Sequence, residues 1–229
     1  NVTHLQNATV WAYREHNYLM VNERAPEYPD ILERNWRVRA GHVICATGAI
    51  ERALVFGNND RPGVMLASAA QAYINRYGVR PGRRAVVFTN NNSAYSVAAD
   101  LAQTGIEVAA IIDSRDTVPD AARAMVSGIE ILPGHVVTTT QGGRHIRSVE
   151  VAPNGGGAIR RIACDLLAMS GGWNPAVHLW SQSRGTLRYD NALTSFVPDH
   201  AAQAAISVGA ANGELTLAQA LQSGADAGA

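Results

Sequence analysis

Between Arg84 and Asp113 the chain runs through one compact pattern that leaves few folds open. Ala85, Val86, Val87 and Phe88 follow Arg84 as an unbroken apolar stretch, and Thr89-Asn90-Asn91-Asn92 is a short polar loop. Ser93 to Gln103 places Ala98, Leu101 and Ala102 on one side of a predicted helix that Gly105 closes, and Glu107 to Asp113 is a second apolar run ending in an acid. Strand, loop, helix and strand within about 30 residues is the size of a βαβ crossover. Strands that are apolar at every position, instead of every second one, suit a parallel sheet covered on both faces.

The flanking segments read in the same language. Thr9 to Tyr13 and Tyr18 to Asn22 flank the polar run Arg14 to Asn17 as a hairpin, and Ile31 to Val38 continues extended after a turn at Pro26 to Asp30. His42 to Ala46 is a short apolar strand expected to be buried on both faces, ending at Thr47-Gly48-Ala49. Ser68 is placed to cap a helix from Ala69 to Tyr77 that Gly78 would end in the left-handed conformation. Pro119 to Ser127 is read as a helix and Ile129 to Leu132 as a strand. Val136 to Val151 is β-rich and Gly155 to Gly157 is a hairpin loop. Ile162 to Met169 is another buried strand, closing at Ser170-Gly171-Gly172. Ala205 to Val208 is the last strand, followed by the loop Gly209 to Gly213 and a helix from Leu215 to about Ser223, with a tail too small and polar to pack.

Composition removes several function classes. Lys plus Arg and Asp plus Glu are both 19, so no basic field points to nucleic acid. No apolar run of about 18 residues suggests a membrane span, and the N-terminus does not resemble a signal peptide. The start lacks Met and is expected to be internal to something longer. Cys45 and Cys164 both sit in apolar runs without a Cys-x-x-Cys, which fits buried reduced thiols and a cytoplasmic setting. The seven histidines form no spaced ligand pair and no nucleophile elbow is present, so neither a metal site nor a catalytic residue is assigned.

Two places could hold a dinucleotide. In the first, the three glycine positions of a nucleotide fingerprint read Asn90, Asn92 and Tyr95, with Asp113 ~20 residues downstream where an acid would bind a ribose. Asn tolerates positive φ, but a tyrosine ring cannot occupy the place where helix and strand nearly touch. It must displace the helix or point into the cleft. Asp113 would favour NAD over a 2′-phosphorylated nucleotide, while Arg115 argues the other way. The residues alone leave a working site and a Rossmann-like unit that binds nothing both open. In the second, Ala46-Thr47-Gly48-Ala49 and Gly209-Ala210-Ala211-Asn212-Gly213 each end a strand, where small residues allow a cofactor to approach the backbone. A helix beginning near Glu214 or Leu215 would aim its amides at a phosphate or ring oxygen.

The run Ala46 to Arg52 resembles the Ala-Thr-Gly strand end of two-dinucleotide-binding-domain flavoproteins of the glutathione and thioredoxin reductase types. Met169 to Pro175 is similar to their second such strand end. Val208 to Gly213, with Thr216 to Ala220, is similar to their C-terminal Gly-Asp segment. Glu51 to Met65, Tyr73 to Val79 and Val87 to Tyr95 are similar, more narrowly, to the alpha-subunit family of heterotetrameric sarcosine oxidases. The resemblance covers nearly the whole chain.

It implies an α/β fold of nested Rossmann-like domains. The outer domain would comprise 1–62 and 185–229, incomplete because its Gly-rich βαβ unit would precede Asn1, and the inserted unit would be 63–184. It implies an oxidoreductase complex that demethylates sarcosine to glycine, formaldehyde and hydrogen peroxide, with FAD, FMN, NAD, zinc and folate spread over its subunits. NAD would lie in the outer cleft, where the flavoprotein acid that holds a ribityl hydroxyl is replaced by Ala210. By matching position, Val10 would contact adenine, Thr47, Gly48 and Gly209 would line the cleft, and Ala210, Leu215 and Leu217 would border the nicotinamide half. The partners would be the other oxidase subunits. Two alternatives stand beside this reading: the large subunit of an amine or opine dehydrogenase with a bound flavin, and a subunit-contact module with vestigial clefts.

Overall fold

A computed structural model describes residues 2–24 and 30–229. The expected turn at Pro26 to Asp30 lies almost wholly outside them. The chain divides into two compact units, Glu51–Gly172 and Asn1–Ile50 with Trp173–Ala229. The divisions precede the expected ones at 62/63 and 184/185. The turn-rich Asn58 to Gly63 segment belongs inside the first of these units, because Gly57 N–H donates to the Thr138 carbonyl and the Asn58 carbonyl accepts from the Thr140 hydroxyl.

In the Glu51–Gly172 unit five strands form one sheet in the spatial order Val64–Leu66, Leu166–Ser170, Arg84–Thr89, Glu107–Asp113 and Ile131–Pro133, all parallel. The unbroken apolar runs have a direct cause. Ala85, Val87, Ile111, Leu166 and Ala168 pack on one face against the helices Ala67–Tyr77 and Ser93–Gln103. Val86, Phe88, Ala110, Ile112, Leu167 and Met169 pack on the other. There they meet Val137, Ile146, Val149, Val151 and Ile162 of the antiparallel sheet His135–Gly142, Ile146–Pro153, Arg160–Ala163. Successive side chains point to opposite faces, so two covered faces demand apolar residues throughout.

Helix ends depart from expectation in an informative way. The first helix begins at Ala67, and the buried carboxylate of Glu51 accepts from Ser68 N–H at 2.8 Å. Ser68, expected to cap the helix, instead lies inside its first turn with its amide held by Glu51, and Leu66 stands at the N-cap without a side-chain cap bond. Gly78, at φ 62°, ends this helix as expected. The expected Pro119 to Ser127 helix shrinks to Asp120–Arg123, and the strand after it is Ile131–Pro133.

The other unit holds the antiparallel sheet Ala8–Arg14, Tyr18–Arg24, Glu33–Arg39, with a bulge between Val10 and Ala12. It also holds the hairpin Leu187–Asp190 with Ser195–Pro198, and a parallel pair, Val43–Cys45 with Ala205–Ser207. Tyr13, Cys45, Trp180 and Ala205 form its small core. Buried Asn17, at φ 49°, accepts from the Tyr13 hydroxyl and donates to the carbonyls of Gly41 and Ala204, tying the hairpin turn to the parallel pair. The expectation that Val43–Cys45 is buried on both faces is corrected: Ile44 is 43% exposed, since one side of this two-stranded pair has no covering layer among the described residues. The expected helix start near Leu215 moves to Leu217, because Thr216 and Gln219 form a reciprocal capping box. The helix runs past its expected end near Ser223 through Gly228, and the tail, expected not to pack, has no buried residue.

Candidate functional site

The parallel register Ala205↔Val43, Ile206↔Ile44, Ser207↔Cys45, extended by Val208 N–H donating to the Cys45 carbonyl, brings two strand ends to the same edge. Thr47 and Gly48 leave one strand there, and Gly209 and Ala210 leave the other. The Thr47 hydroxyl donates to the Ala176 carbonyl at 2.7 Å and Ala176 N–H donates to the Gly48 carbonyl, which fixes the first turn. Gly48 adopts φ 72°, and a Cβ added there would meet no atom within 4 Å. The space on its Cβ side is uncrowded, while its carbonyl is taken by Ala176. Gly209, at φ 62°, opens a 3-10 turn through Asn212.

The second loop is less available. Gly209 N–H donates to both a Glu214 carboxylate oxygen, at 2.9 Å, and the Ser223 hydroxyl, at 3.0 Å. Asn212 donates to the other Glu214 oxygen. The Ser223 hydroxyl most of all, with Asn212 and the Gly209 amide, holds the Glu214 carboxyl below the usual range. The helix opens at Leu217, where its capping box takes the Gln219 N–H, and Glu214 takes the Gly209 N–H of the preceding turn. Ala210 presents a methyl and no acceptor. Leu215 and Leu217 follow at 43% and 76% exposure. Val10 is half-buried and paired with Val21 in the three-stranded sheet. The strand-end turns thus fit a dinucleotide approached through backbone and provide no carboxylate at position 210 for a flavin side chain.

The fingerprint loop of the Glu51–Gly172 unit has a different character. The Tyr95 ring is fully buried and its hydroxyl donates to Asp113 at 2.7 Å. Asp113 is itself fully buried and accepts four bonds: from Tyr95, and from the Arg115 backbone N–H, Nε and Nη2 at 3.0, 3.0 and 2.7 Å. Arg115 Nη1 reaches on to the Asn92 side-chain oxygen at 2.8 Å. Burial, then the bond to Asp113, raises the Tyr95 phenol far above its ordinary pKa. Asn91 fills the loop itself, accepting from Ser93 N–H and its hydroxyl while donating to the carbonyl and hydroxyl of Ser170. The Tyr95 ring packs in the core on the helix side of the sheet, with its hydroxyl on the acid.

Glu214, Glu51 and Asn91 were not singled out from sequence. Glu51 and Glu214 each adjoin a strand-end motif, but nothing in their spacing signals that their carboxylates cap distant amides. A cleft of about 590 Å³ near Asn17, Arg184 and Gln203 contains none of the expected cofactor residues. Its polar groups are spent on one another, Gln203 bridging Asn17, Arg14 and Ser183.

The fold defined by these elements is that of flavin-dependent disulfide reductases. Thioredoxin reductase from T. acidophilum superposes with a TM-score of 0.74 at 16% identity, over 96% of this chain and 71% of that one. No protein-family model matches the sequence. Within that fold class, the sequence is related to a segment of the sarcosine oxidase alpha subunit. It is 43% identical to "Sarcosine oxidase subunit alpha" of Corynebacterium sp. (strain P-1), over 99% of this chain and 25% of that protein. It is 47% identical to the protein of the same name from Rhizobium meliloti (strain 1021), over 69% of this chain and 15% of that protein. The chain spans about a quarter of the length of the first of these relatives. Among the described residues, no helix is long and apolar enough to cross a membrane.

Proposed function

We propose that this chain is the NAD-holding, structural portion of the alpha subunit of a heterotetrameric sarcosine oxidase, and that its nucleotide lies at the strand ends carrying Thr47-Gly48 and Gly209-Ala210. The observation that carries this reading is the parallel pairing of Val43–Cys45 with Ala205–Ser207, which aligns two small-residue turns at the carboxyl ends of their strands, the usual ligand position in such sheets. Gly48 supplies an uncrowded turn, and Ala210 leaves out the acid a flavin would use. Val10, Leu215 and Leu217 would complete the cleft around adenine and nicotinamide. The NAD in this reading organises the subunit. The demethylation of sarcosine to glycine, formaldehyde and hydrogen peroxide proceeds at flavin on other parts of a cytoplasmic complex, and no residue here takes part in it.

Denaturing the purified full-length protein and identifying the released nucleotide by mass spectrometry tests the reading. NAD is expected. FAD would replace it with a flavin-bearing amine or opine dehydrogenase subunit, and no nucleotide would leave a subunit-contact module.

A further inference from the structure

We infer that Tyr95 and Arg115 act as built-in occupants of the second nucleotide position, so that the Glu51–Gly172 unit excludes dinucleotides although it keeps the βαβ frame and the ribose-binding acid. This rests on the fingerprint loop alone and is independent of where NAD lies in the other unit.

In a nucleotide-binding βαβ unit the acid ending the second strand accepts a hydrogen bond from the ribose hydroxyl, and the amides opening the helix receive the pyrophosphate. Here both functions are already filled by the protein. Asp113 ends its strand in the ribose-binding place, yet it receives a phenol hydroxyl from Tyr95 and three N–H groups from Arg115. A carboxylate offers about four lone-pair sites, so four donors leave none for a ribose. The neutral Tyr95 hydroxyl stands in for the sugar hydroxyl. The Arg115 guanidinium spans Asp113 and Asn92, joining the acid to the loop that would receive phosphate. At the helix opening, Ser93 N–H is spent on the Asn91 side chain and Asn91 N–H on the Thr89 hydroxyl. A dinucleotide would have to break the Asp113 ion pair, withdraw a buried ring and release the Asn91 loop together.

Arg115 is the member of this set able to move, because 28% of its side chain remains exposed while Asp113 and Tyr95 are fully buried. The exclusion is therefore graded: removing the Arg115 side chain vacates two of the four donor sites on Asp113, its backbone N–H staying in place, and removing the Tyr95 ring as well vacates a third together with the space.

Hydrogen–deuterium exchange of the full-length protein, with and without millimolar ADP-ribose, tests this directly. In the unaltered protein ADP-ribose is expected to leave exchange in residues 89–95 and 113–115 unchanged. Arg115→Ser should introduce protection there, and Arg115→Ser with Tyr95→Ala should bind about tenfold more tightly, the scale of one recovered charge-assisted hydrogen bond. Should the double variant fail to fold, Arg115→Ser, whose side chain reaches the surface, decides alone. Protection of these segments in the unaltered protein would overturn the inference, and so would its absence in every variant that folds.

Discussion

The two strand-end regions use the same architectural device and differ in what fills it. At Thr47-Gly48 nothing crowds the Cβ side of the glycine. At Thr89 to Tyr95 the three glycine positions of the fingerprint carry Asn90, Asn92 and Tyr95, whose side chains are bonded to Asn91, Arg115 and Asp113 in turn. A loop built from glycine offers its amides to a ligand, whereas a loop built from asparagine can supply its own ligand. The difference separates a unit suited to hold a cofactor from one suited to hold itself together.

The contrast can be broken first at the two cysteines, one in each unit. Burial, chiefly, pushes the Cys164 thiol up from 9.0 to about 12, so its thiolate at mildly alkaline pH should be about a thousandfold rarer than that of an ordinary thiol. Timed alkylation read by mass spectrometry should show Cys164 essentially inert in the folded protein and reactive in denaturant. Cys45, also raised by burial, should be slowed as well. Rapid native labelling of Cys164 would mean that the sheet packing above it is wrong.

The next effect lies in the closed loop. Asp113→Ala leaves the buried Tyr95 hydroxyl without its acceptor and Arg115 without its partner, and should cost about 3 kcal/mol by denaturant unfolding of the full-length protein. Tyr95→Phe removes one buried bond of 2.7 Å and should cost about 1–2 kcal/mol. If Asp113→Ala unfolds no more easily than Tyr95→Phe, the Arg115 contacts contribute nothing.

At the other turn the effects should be smaller. Glu214→Gln should cost less than about 1 kcal/mol, because the carboxylate is only partly buried. The folded carboxyl is held low, so its contribution is present above the ordinary carboxylate pKa of about 4.3 and disappears as pH falls through the lowered value. Stability measured from neutral to acid pH should therefore converge for the Glu214→Gln and unaltered proteins at the acid end. Divergence there would reverse the sign of the argument.

Much of the fold was legible because two covered sheet faces force apolar residues at every strand position, as in Ala85–Phe88 and Leu166–Met169. Gly78 announced its helix end because a left-handed cap favours a residue without Cβ. The strand-end glycines were legible for the same reason. What sequence hid was side-chain reach. Arg115 returns to an acid two residues earlier, Glu51 caps a helix 17 residues away, and Glu214 covers an amide five residues back. Local spacing does not encode such closures, since they depend on rotamers fixed only after packing. The last helix was expected to end near Ser223 because the small residues beyond it resemble a tail, and its start was displaced because the capping box depends on Thr216 and Gln219 meeting in space.

A crystal structure of the full-length protein saturated with NAD tests the contrast most directly. The account predicts density for one dinucleotide against Gly48 and the Gly209 turn, with Arg115 still bridging Asp113 and Asn92. Pyrophosphate density at the amides beside Asn92, with Arg115 swung away from Asp113, would contradict it.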